Sequence, residues 1–185
     1  MAYYYFDFRD VKKQDCYGLL LSIVSQLSAE SNSCRNVLSK LYSDNSHGTR
    51  KPDIGALKKC LVDMLSLPGQ GQIYIIVDAL DECPNFPGMP SAREDVLDFI
   101  EVIVDLKLPE VNLCVASRPE MDIRLVLEPL TTLKISLHDE LGQKNDIIEY
   151  INSIVRSESD RSMRRWKEED KQLVIDTLSS KADGM

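Results

Sequence analysis

The sequence contains no apolar run that approaches the roughly 20 residues needed by a membrane-spanning helix. We expect no signal peptide either, because residues 1–10 lack a basic segment and reach acidic residues early. Positive charge is scarce: 22 Lys and Arg oppose 30 Asp and Glu, for a formal net charge of −8. That balance argues against binding to nucleic acids or to anionic membranes. What remains is the composition of a globular protein, with 185 residues, 43% hydrophobic and 28% charged.

Paired cysteines are missing as well. The five cysteines are odd in number and scattered, none forms a CxxC pair, and only His47 and His138 could join them as metal ligands. This pattern favours reduced, partly buried thiols over a disulfide framework or a zinc site, and it predicts a cytoplasmic protein.

The most informative stretch is residues 73–82, which read Ile-Tyr-Ile-Ile-Val-Asp-Ala-Leu-Asp-Glu. Its apolar run predicts a strand buried on both faces of a parallel sheet, whose carboxyl end is where open α/β sheets bind ligands. Asp78 could hold an Mg²⁺ ion that bridges nucleotide phosphates, and the small Ala79 would let a phosphate group approach. Asp81 or Glu82 could then position or deprotonate an attacking water. The plainer alternative is a strand that ends in a solvated acidic turn.

The rest of the chain alternates between strand and helix patterns. Capping signals at Asp15, Asp53 and Ser91 mark the starts of three helices. From residue 143 onward the pattern is helical only. This order predicts an α/β fold, with a parallel sheet followed by a helical segment. Strands are predicted at residues 3–8, 73–77, 111–116 and 133–137.

A cation, Arg118, follows the predicted strand at residues 111–116. The crossover rule places the strand ends that carry Asp10, Asp78 and Arg118 on one edge of the sheet. An arginine beside a metal-holding carboxylate is useful where a polyanion lies between them, because the guanidinium fork grips phosphate oxygens. The alternative is that Arg118 only pairs with a surface carboxylate, such as that of Glu120 or Asp122.

Four stretches lie in a characteristic order at residues 5–14, 75–83, 116–119 and 181–185. Together they resemble a NACHT domain, the nucleotide-switch module of STAND-class P-loop NTPases. The sequence most resembles the fungal NLR-like branch, which carries nephrocystin-type NACHT modules.

This resemblance implies an NTP hydrolase that uses ATP or GTP with Mg²⁺ as a signalling switch, in defence or heterokaryon incompatibility. It implies a partial P-loop NTPase-like α/β core over residues 1–140 and the start of a C-terminal helical region over residues 141–185. The expected partners are the nucleotide and either other proteins or further copies of the chain, with no nucleic acid and no membrane.

The resemblance also implies a role for each candidate site residue. Asp78 would be the Walker B acid that binds Mg²⁺, and Arg118 would be the sensor arginine that reads the γ-phosphate. Asp81 and Glu82 would act on the hydrolytic water.

One motif of that family is missing. The sequence contains no GxxxxGK[ST] phosphate loop, and neither Gly69 nor Gly71 is followed by the required Lys-Ser/Thr. The family's Walker A strand would lie in the middle of the sheet, between the predicted strands at residues 111–116 and 133–137. We therefore expect an interior fragment, a short gene model or a truncated paralogue that is inactive as an NTPase on its own. A degenerate NACHT-like domain that binds proteins without hydrolysis, and a metal-dependent hydrolase that uses no nucleotide, stay open as alternatives.

Overall fold

In the computed structural model, the described residues are 1–85, 91–136, 141–157 and 163–181. The chain divides into two compact units, residues 1–131 and residues 132–185, and each is described by itself. This is a division by packing. The functional division expected at residue 140 stays a prediction.

Parallel strands form the sheet of the first unit, in the order β1-β2-β3. The strands are β1 (Ala2–Tyr5), β2 (Ile73–Asp78) and β3 (Val111–Val115). Tyr5 lies beside Asp78 in one pairing, and Val77 lies beside Val115 in the other. Because all three strands run in one direction, their carboxyl ends meet at one edge, as predicted.

Helices connect the strands and follow them, which confirms the predicted α/β class. Asp15, Asp53 and Ser91 each accept a hydrogen bond from the backbone N–H three residues further on, so the three predicted caps are confirmed. The helices of this unit are α1 (Cys16–Glu30), α2 (Asn32–Asp44), α3 (Ile54–Leu65), α4 (Ala92–Asp105) and α5 (Met121–Leu130).

The hydrophobic core lies on one face of the sheet. There Ile75, Val77 and Leu113 meet apolar side chains of α1, α3 and α4. On the opposite face Tyr3 and Tyr74 are exposed. The prediction that the central strand is buried on both faces is therefore wrong. The helices that meet these strand residues all pack on the same side, so the outward side chains of β2 lack a covering layer among the described residues.

The strand predicted at residues 133–137 is also wrong for the part that the structure describes, residues 133–136, which contain no strand. Residue 137 lies outside the described residues. Leu133 and Ile135 are both exposed. An extended segment is stable as a strand only when a neighbour satisfies its backbone groups, and none of the described pairings includes these residues.

The second unit is helical, as predicted. It contains α6 (Leu141–Val155), a 3₁₀ turn (Met163–Arg165) and α7 (Glu168–Lys181). Arg156 joins the two helices, because its Nη2 donates to Oε1 of Gln172 at 2.9 Å. No helix within the described ranges has both the length and the apolar character to cross a lipid bilayer. Residues 182–185, the end of the last resemblance stretch, lie outside the described residues.

The two edge strands of the sheet differ in their protection. Tyr3 of β1 donates its backbone N–H to Oε1 of Gln26 at 3.1 Å, and its carbonyl accepts from Nε2 of Gln26 at 2.7 Å. The Gln26 amide thus occupies the position that a further strand would use. Among the described residues no such amide covers β3, whose Cys114 is an exposed free thiol. An uncovered edge strand invites pairing with another chain.

We expect the chain to self-associate through the edge of β3. Cys114→Lys should reduce that association, because a charged side chain on an edge strand opposes further pairing. Sedimentation velocity at increasing protein concentration measures the effect.

Two variants serve as controls for this experiment. Ser33→Lys adds the same charge at an exposed position of α2, and Cys114→Ser removes any contribution from disulfide-linked dimers. A sharp monomer boundary for the unchanged chain at every concentration would contradict the expectation.

Candidate functional site

The chain turns sharply directly after β2, at Ala79. This residue has φ 53° and ψ 43°, in the left-handed region that residues with a Cβ atom rarely adopt. Oδ1 of Asp78 accepts a hydrogen bond from the Ala79 N–H at 2.8 Å and supports the turn. A short 3₁₀ helix (Leu80–Glu82) follows, with Leu80 fully buried in the core. The acids of the predicted site therefore lie in one short, anchored segment at the strand end.

Asp81 joins the segment after β2 to the segment after β3. Its side chain is only 10% exposed. Oδ1 accepts a hydrogen bond from the Arg118 N–H at 3.0 Å, and Oδ2 lies 3.5 Å from Nε of Arg118. The Arg118 side chain is itself 83% exposed, so its guanidinium can still meet a ligand. The structure thus brings two of the four predicted site residues into direct contact.

Glu82 and Cys83 join the same segment to the residues after β1. Oε2 of Glu82 accepts a hydrogen bond from the Phe8 N–H at 3.1 Å. The Cys83 thiol donates to the carbonyl of Gln14 at 3.3 Å, and burial raises the pKa of this thiol to about 12. Cys83 is fully buried and packs in the core.

The segment after β1 is held by local contacts. Nε and Nη2 of Arg9 donate to the two carboxylate oxygens of Asp7, both at 2.9 Å, and this side-chain hydrogen bond lowers the pKa of Asp7 to about 2. Asp10 accepts a hydrogen bond from the Lys12 N–H at 3.0 Å and caps a 3₁₀ turn. Asp10 therefore follows β1 at the predicted edge, where its carboxylate serves as a cap.

A buried arginine that the sequence patterns did not reveal reaches this site from α4. Arg93 is 5% exposed. Its guanidinium donates to the backbone carbonyl of Asp81 at 2.6 Å and to that of Cys83 at 2.9 Å. It also donates to the carboxylate of Glu120 and, at 3.1 Å, to Oδ2 of Asp122. One side chain thus contacts both the acidic segment and the start of α5.

Arg118 pairs with a carboxylate, but not with either of the two named as its alternative partners. Glu120 and Asp122 bind Arg93, whereas Arg118 pairs with Asp81. Burial lowers the pKa of the Arg93 guanidinium, but the hydrogen bonds to the two carboxylates outweigh burial and the net pKa is raised. Arg93 lies in the first turn of α4, where a cation opposes the helix dipole, so the acidic partners also offset an unfavourable position.

Asp78 is the residue that the sequence predicts as the Mg²⁺ ligand. Its side chain is exposed and lies at the end of a rigid strand. In the part of the chain that the structure describes, no three His, Cys, Asp or Glu side chains are grouped to hold a metal ion. Mg²⁺ commonly takes one or two carboxylates and completes its shell with waters and substrate phosphates. An ion held at Asp78 would therefore need further ligands from water or from a bound phosphate.

A family model described as Nephrocystin 3, N-terminal, matches residues 1–118. That range contains the three strands and the four predicted site residues, and it ends at Arg118. No NACHT domain itself is detected. No curated protein and no solved structure was found to match the chain.

The left-handed turn gives a test of the local geometry. Ala79→Val should lower the free energy of unfolding by about 1–2 kcal/mol, because a β-branched side chain is strained in this backbone conformation. Ala79→Gly is the matched control and should cause no such loss, since glycine adopts the conformation without a clash. Urea unfolding measures both. Equal stability of the two variants would mean that the turn does not require this conformation.

Proposed function

Because the chain belongs to the nephrocystin 3 N-terminal family, we propose that it supplies the metal-binding and phosphate-sensing part of a NACHT-type nucleotide switch. In this proposal ATP or GTP binds with Mg²⁺ at the carboxyl edge of the sheet, and hydrolysis switches a fungal NLR-like signalling protein. One observation carries the proposal: parallel strands and the Asp81 bridge bring Asp78, Glu82 and Arg118 to the same edge.

The proposed roles follow from exposure and position. Asp78 would hold the ion, which in turn would neutralise charge on the phosphates. Arg118, with its exposed guanidinium, would contact the γ-phosphate. Glu82 would accept a proton from the attacking water, and the hydrogen bond from Phe8 orients its carboxylate for that task.

Asp81 receives a different role from the one that the resemblance implies. Both of its carboxylate oxygens face Arg118, one toward the backbone N–H and one toward Nε. A carboxylate engaged in this way is suited to positioning Arg118. We therefore propose that Glu82 activates the attacking water and that Asp81 orients Arg118 and the segment after β3.

A protein-binding role without hydrolysis is the second candidate. The observation that favours it is the sequence, which has no glycine-rich phosphate loop. The N–H groups of such a loop supply much of a phosphate cradle, so a complete nucleotide site would need that loop from a segment outside this sequence. Under this second candidate the contacts at the strand ends would only hold the three segments together.

The chain alone should bind Mg²⁺–ATP with a dissociation constant in the millimolar range or weaker. A complete cradle typically gives micromolar affinity, a difference of about 4 kcal/mol. Isothermal titration calorimetry measures the constant. Low-micromolar binding would contradict the expectation, because it would require a second anion site.

Paramagnetic Mn²⁺–ATP can locate even such weak binding. It should broaden the amide NMR signals of residues 78–82 and 116–118 first, and Asp78→Asn should abolish the effect. Asp63→Asn is the control, because Asp63 is an exposed acid of α3 that pairs with Lys59. Equal broadening around Asp63 and Asp78 would count against the assigned metal position.

In a protein that joins this chain to a glycine-rich phosphate loop, three substitutions should give three different results. Asp78→Asn should lower both Mg²⁺-dependent binding and turnover. Glu82→Gln should spare binding and slow hydrolysis about 10²-fold or more, the usual range for a lost general base. Arg118→Ala should weaken discrimination between triphosphate and diphosphate.

Single-turnover hydrolysis and fluorescent-nucleotide binding separate these results. If the Glu82→Gln variant hydrolyses nucleotide at the unchanged rate, Glu82 is not the residue that activates the attacking water. If the unchanged joined protein neither binds nor hydrolyses nucleotide, the switch proposal itself is wrong.

A further inference from the structure

Arg93 is the only arginine among the described residues whose side chain is buried. It stands in the first turn of α4, and its guanidinium donates in two directions. On one side it meets backbone carbonyls of the segment after β2. On the other side it meets carboxylates at the start of α5. A single planar group therefore spans the space between two segments that are distant in sequence.

The first set of contacts surrounds Glu82. The two carbonyl acceptors belong to Asp81 and Cys83, the residues on either side of it. The Glu82 N–H donates to the carbonyl of Ala79 at 2.9 Å. The guanidinium therefore holds one carbonyl before Glu82 and one after it, and this restrains the backbone on both sides. Arg93 thus restrains the backbone that carries the Glu82 carboxylate, while the hydrogen bond from Phe8 orients the carboxylate itself.

The second set of contacts leads to Arg118. Glu120 holds the guanidinium with its carboxylate, and its backbone N–H donates to the carbonyl of Arg118 at 2.8 Å. Asp122, at the start of the same helix, also accepts from the guanidinium. Asn85 donates a further hydrogen bond to the Asp122 carboxylate at 2.7 Å. A shorter route exists as well, because Asp81 accepts from Arg93 with its carbonyl and from Arg118 with its carboxylate.

The type of residue matters for this link. A guanidinium presents several N–H groups in a rigid plane, and here they are divided among two carbonyls and two carboxylates. A lysine at this position would keep the charge but could not reach four acceptors in these directions. Loss of the side chain would leave the buried carbonyls and the carboxylates without their shared partner.

We propose that Arg93 is a positioning residue that makes Glu82 and Arg118 move as one body. The proposal rests on the nucleotide function above: loss of the γ-phosphate contact at Arg118 would then be felt at the carboxylate that acts on the water. Arg93 touches no reacting atom in this scheme. It couples the group that senses the phosphate to the group that activates the water.

Hydrogen–deuterium exchange on the 185-residue chain tests the link without any nucleotide. Arg93→Met should raise the exchange rate of the amides at Glu82, Cys83 and Arg118 together, by about tenfold or more, as local opening becomes easier. Arg93→Lys should restore part of the protection. Arg124→Met is the matched control, because Arg124 forms an exposed ion pair with Glu128 on α5; it should leave these amides unchanged.

A second variant distinguishes loss of this link from a general loss of stability. The double substitution of Glu120→Gln and Asp122→Asn keeps Arg93 and removes only the negative charge of its partners. It should raise exchange at Arg118 and at Glu82, while the amides of α1 and α3 keep their protection. If exchange in this variant rises at Glu82 without rising at Arg118, or the reverse, the proposed link is wrong.

A final comparison separates this inference from the proposed function. In a protein joined to a phosphate loop, Arg93→Met should slow single-turnover hydrolysis more than it weakens Mg²⁺–ATP binding, and Arg93→Lys should recover part of the rate. Equal losses in both quantities would contradict a positioning role. If the unchanged joined protein shows no nucleotide activity, the proposed function fails, and the exchange experiment alone decides the mechanical link.

Discussion

Parallel pairing of three short strands is the constraint on which the candidate site depends. Neighbouring strands lie only ~5 Å apart, so segments that leave the same edge begin within reach of one another's side chains. The structure uses that proximity in each direction: Glu82 reaches back to the first segment, and Asp81 reaches forward to the third. Buried Leu80 and Cys83 fix the middle segment on the core. Site geometry and core packing are thus parts of one arrangement.

The two arginines near the candidate site differ in their solvent exposure. Arg93 is enclosed, its donors are shared among fixed acceptors, and a ligand cannot reach it. Arg118 has one carboxylate partner and an open guanidinium. The same chemical group is therefore enclosed by fixed acceptors in one place and open to solvent in the other. Asp81 contacts both arginines, Arg93 with its carbonyl and Arg118 with its carboxylate.

Local signals in the sequence predicted much of the fold, because caps and strand ends depend on neighbouring residues. The cap at Asp15 and the acids that follow β2 are of this kind. Coverage of a sheet face is a long-range property, so the apolar run around Tyr74 could not reveal that only one face is packed. Ile135 likewise lies in an apolar alternation, which predicts a strand only where a neighbour exists to pair with it. The partners of Arg93 lie 27 and 29 residues away, beyond the reach of any spacing rule.

The Gln26 amide has a consequence for the size of the sheet. This side chain comes from α1, the first α-helix after β1, and lies 23 residues after the backbone that it covers. On that side a further strand could pair with Tyr3 only by displacing this amide. Among the described residues no comparable amide covers β3, so a further strand meets less opposition there. A one-residue insertion in α1 before Gln26 would rotate this side chain by roughly 100° and free the backbone groups of Tyr3 that it covers.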